Sequence, residues 1–212
     1  MRILQVITSL KIGGAEMLVV NMVPRLRELG HEVDVCVFNG EYTPLAQKLC
    51  EENPGIEIYR LGNGYYNPLY ILKLARIMRR YDIVHSHNSS PQLFTALAGV
   101  LCSVGLCTTE HTTSNRTRGW KWYAPIESAM YGKYDHIVCI SKIAEEKLRE
   151  YMGGKWLVPS SKQYKKISTI NNGVDVAGIH NAAPATGAHD DGTFVATMVA
   201  GFREAKDQNT II

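Results

Sequence analysis

Met1-Arg2-Ile3-Leu4-Gln5-Val6-Ile7-Thr8, then Leu10-Lys11-Ile12-Gly13-Gly14-Ala15-Glu16, then Leu29-Gly30-His31-Glu32-Val33 decide the fold class. Arg2 to Thr8 is an apolar run of strand length. Ala15 to Leu29 spaces its apolar residues at helical intervals and stops at Gly30. His31 to Phe38 is apolar again, so the chain opens as strand, loop, helix, strand. Pro24 falls inside the helical pattern and predicts a kink or a break there, because proline removes a backbone donor and crowds the preceding turn.

The same alternation continues outward. Ile56 to Tyr59, Asp82 to Ser86, Leu106 to Glu110, His136 to Ile140 and Lys166 to Ile170 are short runs suited to buried parallel strands. Helical stretches at about 44–52, 67–80, 91–103, 120–132 and 142–151 separate most of them. Such alternation implies an α/β fold, a doubly wound and mostly parallel sheet with right-handed crossovers and helices on both faces. Residues 1–175 make up this domain. After the turn-forming Asn171-Asn172-Gly173-Val174-Asp175, small and polar residues over 176–192 mark a linker. The strand-like run Thr193 to Ala200 and Gly201-Phe202-Arg203-Glu204-Ala205-Lys206 then look like the truncated start of a second domain, 193–212.

Composition narrows the function classes. The 212 residues are 45% hydrophobic and 20% charged, globular values that exclude wholesale disorder. The uncharged tract Leu93 to Cys107 is too short for the ~20 residues of a membrane helix. Five cysteines without a C-x-x-C pair indicate a reducing compartment, and the opening strand is not a secretory signal, so the expected location is cytoplasmic. The net charge of +3 is uneven: residues 115–166 hold eleven Lys/Arg against five Asp/Glu, whereas residues 1–114 hold ten of each. A local basic field suits a phosphate-bearing ligand or an anionic membrane surface. Without a binding motif or a long basic run, nucleic acid is not an expected partner.

In a doubly wound sheet, ligands bind at the carboxyl ends of the strands. Gly13 and Gly14 follow the first strand, where backbone can approach a ligand and a helix start can meet an anion. G-x-G-x-x-G is absent, which argues against a nicotinamide-dependent reductase. His85-Ser86-His87-Asn88 and Glu110-His111-Thr112-Thr113 end two later strands. A zinc reading of these histidines lacks a fourth ligand. His85 is expected to be a hydrogen-bonded core residue, whereas His87, placed in a loop, and His111, at a strand end, are candidates for a polar ligand. His111 can be held by Glu110 or by a backbone carbonyl. Ser141 is placed to cap the helix that follows it. The tract Asn115 to Tyr123 interleaves basic and aromatic residues, a composition that meets membrane interfaces or lipid phosphates.

In order and spacing, Met1-Arg2-Ile3-Leu4-Gln5-Val6, Gly13-Gly14-Ala15-Glu16, Leu29-Gly30-His31-Glu32-Val33, Asp82-Ile83-Val84-His85-Ser86-His87-Asn88, Thr109-Glu110-His111, Ile140-Ser141-Lys142 and Asn172-Gly173-Val174-Asp175 resemble the N-terminal domain of a family 4 retaining glycosyltransferase. Val199 to Asp207 resembles the start of that family's donor domain. The resemblance implies the Rossmann-like N-terminal half of a GT-B fold. It also implies transfer of a sugar, with retention, from a nucleotide-diphosphate sugar to a saccharide or lipid-linked acceptor. By the same resemblance His111 is catalytic and Gly13, Gly14, Arg203 and Lys206 hold the donor phosphates; Glu16, His87, Arg116 and Arg118 are the candidates for meeting the acceptor. No cofactor or metal is implied, in keeping with the lack of an Asp-x-Asp pair. The family's E-x7-E carboxylate pair is missing too, so this piece alone is expected to be inactive. The rival readings are a sugar-nucleotide epimerase of the same fold and a stand-alone acceptor-binding module.

Overall fold

The structure, a computed structural model, describes residues 1–64, 66–112, 123–174, 176–182 and 198. The chain divides into two compact units, Met1–Gly173 and Val174–Ile212. In the second, the short helix Val176–His180 is described.

The first unit is built on seven strands: β1 (Arg2–Ile7), β2 (Glu32–Asn39), β3 (Ile58–Gly62), β4 (Ile83–His87), β5 (Gly105–Glu110), β6 (His136–Cys139) and β7 (Ile167–Thr169). All neighbours pair in parallel, in the order β3-β2-β1-β4-β5-β6-β7. The helices are α1 (Gly14–Glu28), α2 (Pro44–Glu52), α3 (Leu69–Met78), α4 (Ser89–Ala98), α5 (Ala124–Lys133), α6 (Lys142–Met152) and α7 (Lys162–Lys165). Two cores lie on opposite sides of the sheet. Ile3, Ile7, Val33, Val35 and Val37 pack with Val19, Val20 and Val23 of α1 and Leu45 and Leu49 of α2. Leu4, Val6, Val84, Leu106 and Ile137 pack with residues of α3, α4, α5 and α6. The sheet is therefore doubly wound, an α/β Rossmann-like fold.

Three expectations change. The helix α1 runs unbroken through Pro24, because Val19, Val20 and Val23 anchor it to the sheet just before the proline and Leu26 packs on the same core after it. Beyond its last residue, Glu28, it is closed off by Gly30, whose φ of +83° is a left-handed conformation that suits glycine, with His31 N–H donating back to the Leu26 carbonyl. The third strand is Ile58–Gly62, not 56–59. It is an edge strand whose extent follows its register with β2, Val35 opposite Ile58 and Asn39 opposite Gly62, and not its own apolar content. The fourth helix starts two residues early, at Ser89, since Pro91 is tolerated in the first turn, and closes with a 3-10 turn over Gly99–Leu101. Ser141 caps α6 as expected, accepting from Ala144 N–H at 3.1 Å.

The far end of the sheet is fastened by a residue the sequence did not advertise. Arg149 of α6 is 7% exposed. Its guanidinium donates to the carbonyls of Trp156, Tyr164 and Ile167, pairs with Glu145 at 2.7 Å and stacks on the Tyr164 ring. Arg149→Met keeps much of the apolar stem but strips three carbonyls and a carboxylate of their donor. Urea unfolding should show a loss of about 3 kcal/mol, the magnitude typical of breaking a buried ion pair. A loss under about 1 kcal/mol, no more than a surface pair contributes, would contradict this fastening role.

Candidate functional site

The strand order places a switch point between β1 and β4, where successive connections leave in opposite directions; in a doubly wound sheet the ligand crevice lies at the carboxyl ends of such strands. Residues of one strand parity meet on one face there. Gln5 lies opposite His85 in the β1–β4 register, and His85 lies opposite Cys107, with His87 opposite Thr109, in the β4–β5 register. Side chains two apart on a strand share a face. Gln5, His85, His87, Thr109 and His111 therefore collect on one side.

They form a connected chain. His87 Nε2 lies 2.9 Å from Gln5 Oε1, and His87 Nδ1 lies 3.0 Å from His111 Nε2. His85 Nε2 lies 2.8 Å from Thr109 Oγ1. The rings adjoin in sequence, tilted by 43° and 41°, with centroids 4.2 Å apart for His85 and His87 and 5.3 Å apart for His87 and His111. Burial pushes the imidazoles down, His85 and His111 to about 4 and His87 well below the ordinary range. Neighbouring rings add to the effect at His85 and His87. At neutral pH all three are uncharged. Gln5 Nε2 is buried without a partner among the described residues, a cost of about 1–3 kcal/mol for such a group.

His111 is half-buried just beyond β5, whereas His87 differs from expectation. His87 is not in a loop: it is the last residue of β4, 0% exposed, with both ring nitrogens engaged. The strand runs one residue past Ser86, which carries His87 inside. Such a ring does not reach an acceptor directly. Nor does Glu110 hold His111. Consecutive strand residues face opposite ways, and Glu110 instead accepts from Tyr131 at 2.5 Å and from Thr112 at 3.3 Å.

Across the crevice, α1 begins at Gly14. Gly13 is extended, with φ of −170°, and the Glu16 carboxylate folds back over the place a side chain at Gly13 would occupy. Nothing crowds Gly14. The α1 start thus already carries an acidic group, favourable toward the helix dipole. Glu16 also accepts from Asn88 Nδ2 at 3.5 Å, linking α1 to the turn after β4. Asn88 has φ of +70° and ψ of 158°, a sparsely populated conformation costing about 1–3 kcal/mol and a signal sequence reasoning missed. Arg116, Arg118, Arg203 and Lys206 lie outside the described residues. Among the described residues no three His, Cys, Asp or Glu side chains are placed to hold a metal, and no helix is long and apolar enough to cross a membrane.

The neutral histidines give stability a definite pH dependence. Unfolded, each titrates near 6.5, above its folded value, so the unfolded chain takes up protons first as the pH falls. Their contribution is complete above about pH 6.5 and is lost progressively toward pH 4. Urea midpoints should therefore fall from pH 7 to 5.5 to 4.5, and His85→Asn should flatten the decline. A midpoint constant across that window would contradict the burial of neutral imidazoles.

Several solved structures share this architecture. Anabaena Alr3699/HepE in complex with UDP is 18% identical with a TM-score of 0.64, over 84% of this chain and 45% of that one. A glycosyltransferase from Rickettsia africae ESF-5 is 25% identical with a TM-score of 0.63, over 86% and 46%. The UDP-GlcNAc 2-epimerase from Methanocaldococcus jannaschii is 14% identical with a TM-score of 0.54, over 81% and 46%. The chain thus spans about half the length of the structures it resembles. No curated protein sequence matches it. The family model of Glycosyltransferase Family 4 matches residues 12–177, well over half of the chain and nearly all of the first unit, and the protein belongs to that family.

Proposed function

We propose that this domain is the acceptor-side half of a nucleotide-sugar-dependent glycosyltransferase that transfers with retention to a saccharide or lipid-linked acceptor. The observation that carries the reading is the neutral, half-buried imidazole of His111 at the switch-point crevice of a family 4 domain. Departure of a nucleoside diphosphate needs its charge stabilised, and cations and helix starts supply that in a water-poor cleft. A ring that protonates only near pH 4 is no cation at neutral pH. His111 therefore serves the sugar, by hydrogen bonding and orientation, and charge neutralisation falls to Arg203 and Lys206, with Gly13 and Gly14 facing the diphosphate. The glycosyltransferase and UDP-bound structures of similar fold support a sugar-nucleotide donor. In this reading residues 193–212 open the donor domain, and the 212-residue chain alone turns over little or no donor.

In the full-length protein, His111→Ala should lower kcat by about 100-fold, roughly 3 kcal/mol of transition-state stabilisation, while leaving the fold intact. A destabilised but fully active variant would remove His111 from the site. Product analysis belongs to the same experiment: an isomerised sugar nucleotide formed without acceptor would replace the transferase reading with that of an epimerase.

The acceptor proposal extends to the cytoplasmic face of a membrane. Its support is the basic excess of residues 115–166, of which Lys133, Lys142, Lys147, Lys155, Lys162 and Lys165 are exposed, beside exposed Leu157 and Val158. Each basic group near an anionic surface contributes roughly 1 kcal/mol, screened by salt. Co-sedimentation should favour anionic over neutral vesicles and weaken at high salt. Equal or absent binding to both would leave a soluble acceptor.

A further inference from the structure

We propose that Gln5 and His87 are positioning residues that hold His111 as the Nε2–H tautomer, so that its Nδ1 lone pair accepts a hydroxyl of the substrate. This rests on the proposed role of His111 and adds the kind of atom that its ring recognises.

His87 is fully buried and neutral, and a neutral imidazole carries one N–H. Its Nε2 faces the Gln5 carbonyl oxygen at 2.9 Å, and a carbonyl oxygen only accepts, so the His87 proton is on Nε2. His87 Nδ1 is then a lone pair, and the hydrogen bond at 3.0 Å to His111 requires His111 to donate from Nε2. His111 is neutral too, which leaves Nδ1 as its acceptor, without a partner among the described residues.

The surroundings hold this order in place. The His85 ring, itself tied to Thr109, lies tilted against the His87 ring at 4.2 Å between centroids, so His87 cannot turn freely. Gln5 sits on β1 between Ile3 and Ile7, which pack in the α1–α2 core, and its amide nitrogen is buried without a partner among the described residues. A packing leucine would not carry that cost, so the glutamine is accounted for by the bond to His87. The consequence is selectivity by atom type. A ring presenting a lone pair accepts from a sugar hydroxyl and repels a phosphate oxyanion.

Nitrogen-15 spectra of histidine-labelled 212-residue chain at pH 7 read the tautomer directly, with no donor or acceptor present. His111 should show a pyrrole-like Nε2 and a pyridine-like Nδ1 in a single tautomer. Gln5→Leu and His87→Phe should each convert it to a mixture. A proton on Nδ1 or an even mixture in the unaltered chain would overturn the proposal, as would a single unchanged tautomer in Gln5→Leu. If His87→Phe does not fold, those two spectra decide. The expected tautomer in a protein whose full-length form transfers no sugar would overturn the transferase reading and leave the positioning role standing.

Discussion

Parallel pairing of β1 with β4 is the constraint on which the rest of the molecule depends. From β1 the chain winds outward through β2 to β3, returns through α3 to β4, and then winds the other way to β7. Right-handed crossovers therefore lay α1 and α2 against one face and α3, α4, α5 and α6 against the other. Where the two directions part, the carboxyl ends of β1 and β4 are the place at which a sheet of this kind takes a ligand. The crevice is a consequence of winding, and the register across it brings Gln5 beside His85 and, two residues on, supports His87 beneath His111.

Burial then gives the crevice its chemistry. Three adjoining imidazoles would repel one another if charged, and removal from water lowers their basicity, so the cluster persists as neutral hydrogen-bonding groups. Polarity without charge suits sugar hydroxyls. Opposite it, Glu16 lies over the start of α1 and Asn88 holds a strained turn, so both walls of the crevice carry features that packing alone does not require.

Much of the fold was legible because parallel strands buried on both faces are nearly continuous apolar runs, and β1, β2, β5 and β6 lie within a residue or two of where those runs place them. The edge strand β3 was displaced because its neighbour's register, and not its own composition, sets its ends. Pro24 misled since tertiary anchoring by Val20, Val23 and Leu26 outweighs the loss of one helical hydrogen bond. In the site, His85 and His111 were placed well by strand position, and His85 is the hydrogen-bonded residue expected. His87 was misplaced by a single residue, enough to turn a loop ligand into a buried mediator. Parity along the strand also shows why Glu110 cannot orient its neighbour His111. Arg149 left only a Glu145–Arg149 spacing in the sequence, because its principal partners are backbone carbonyls.

The central claim is that this crevice seats the reacting sugar against His111. A crystal structure of the full-length protein with a nucleotide sugar tests it most directly. The account predicts a sugar hydroxyl within hydrogen-bond distance of His111 Nδ1, with the diphosphate near Gly13 and Gly14. A sugar seated away from His111, with the ring still bonded only to His87, would contradict it.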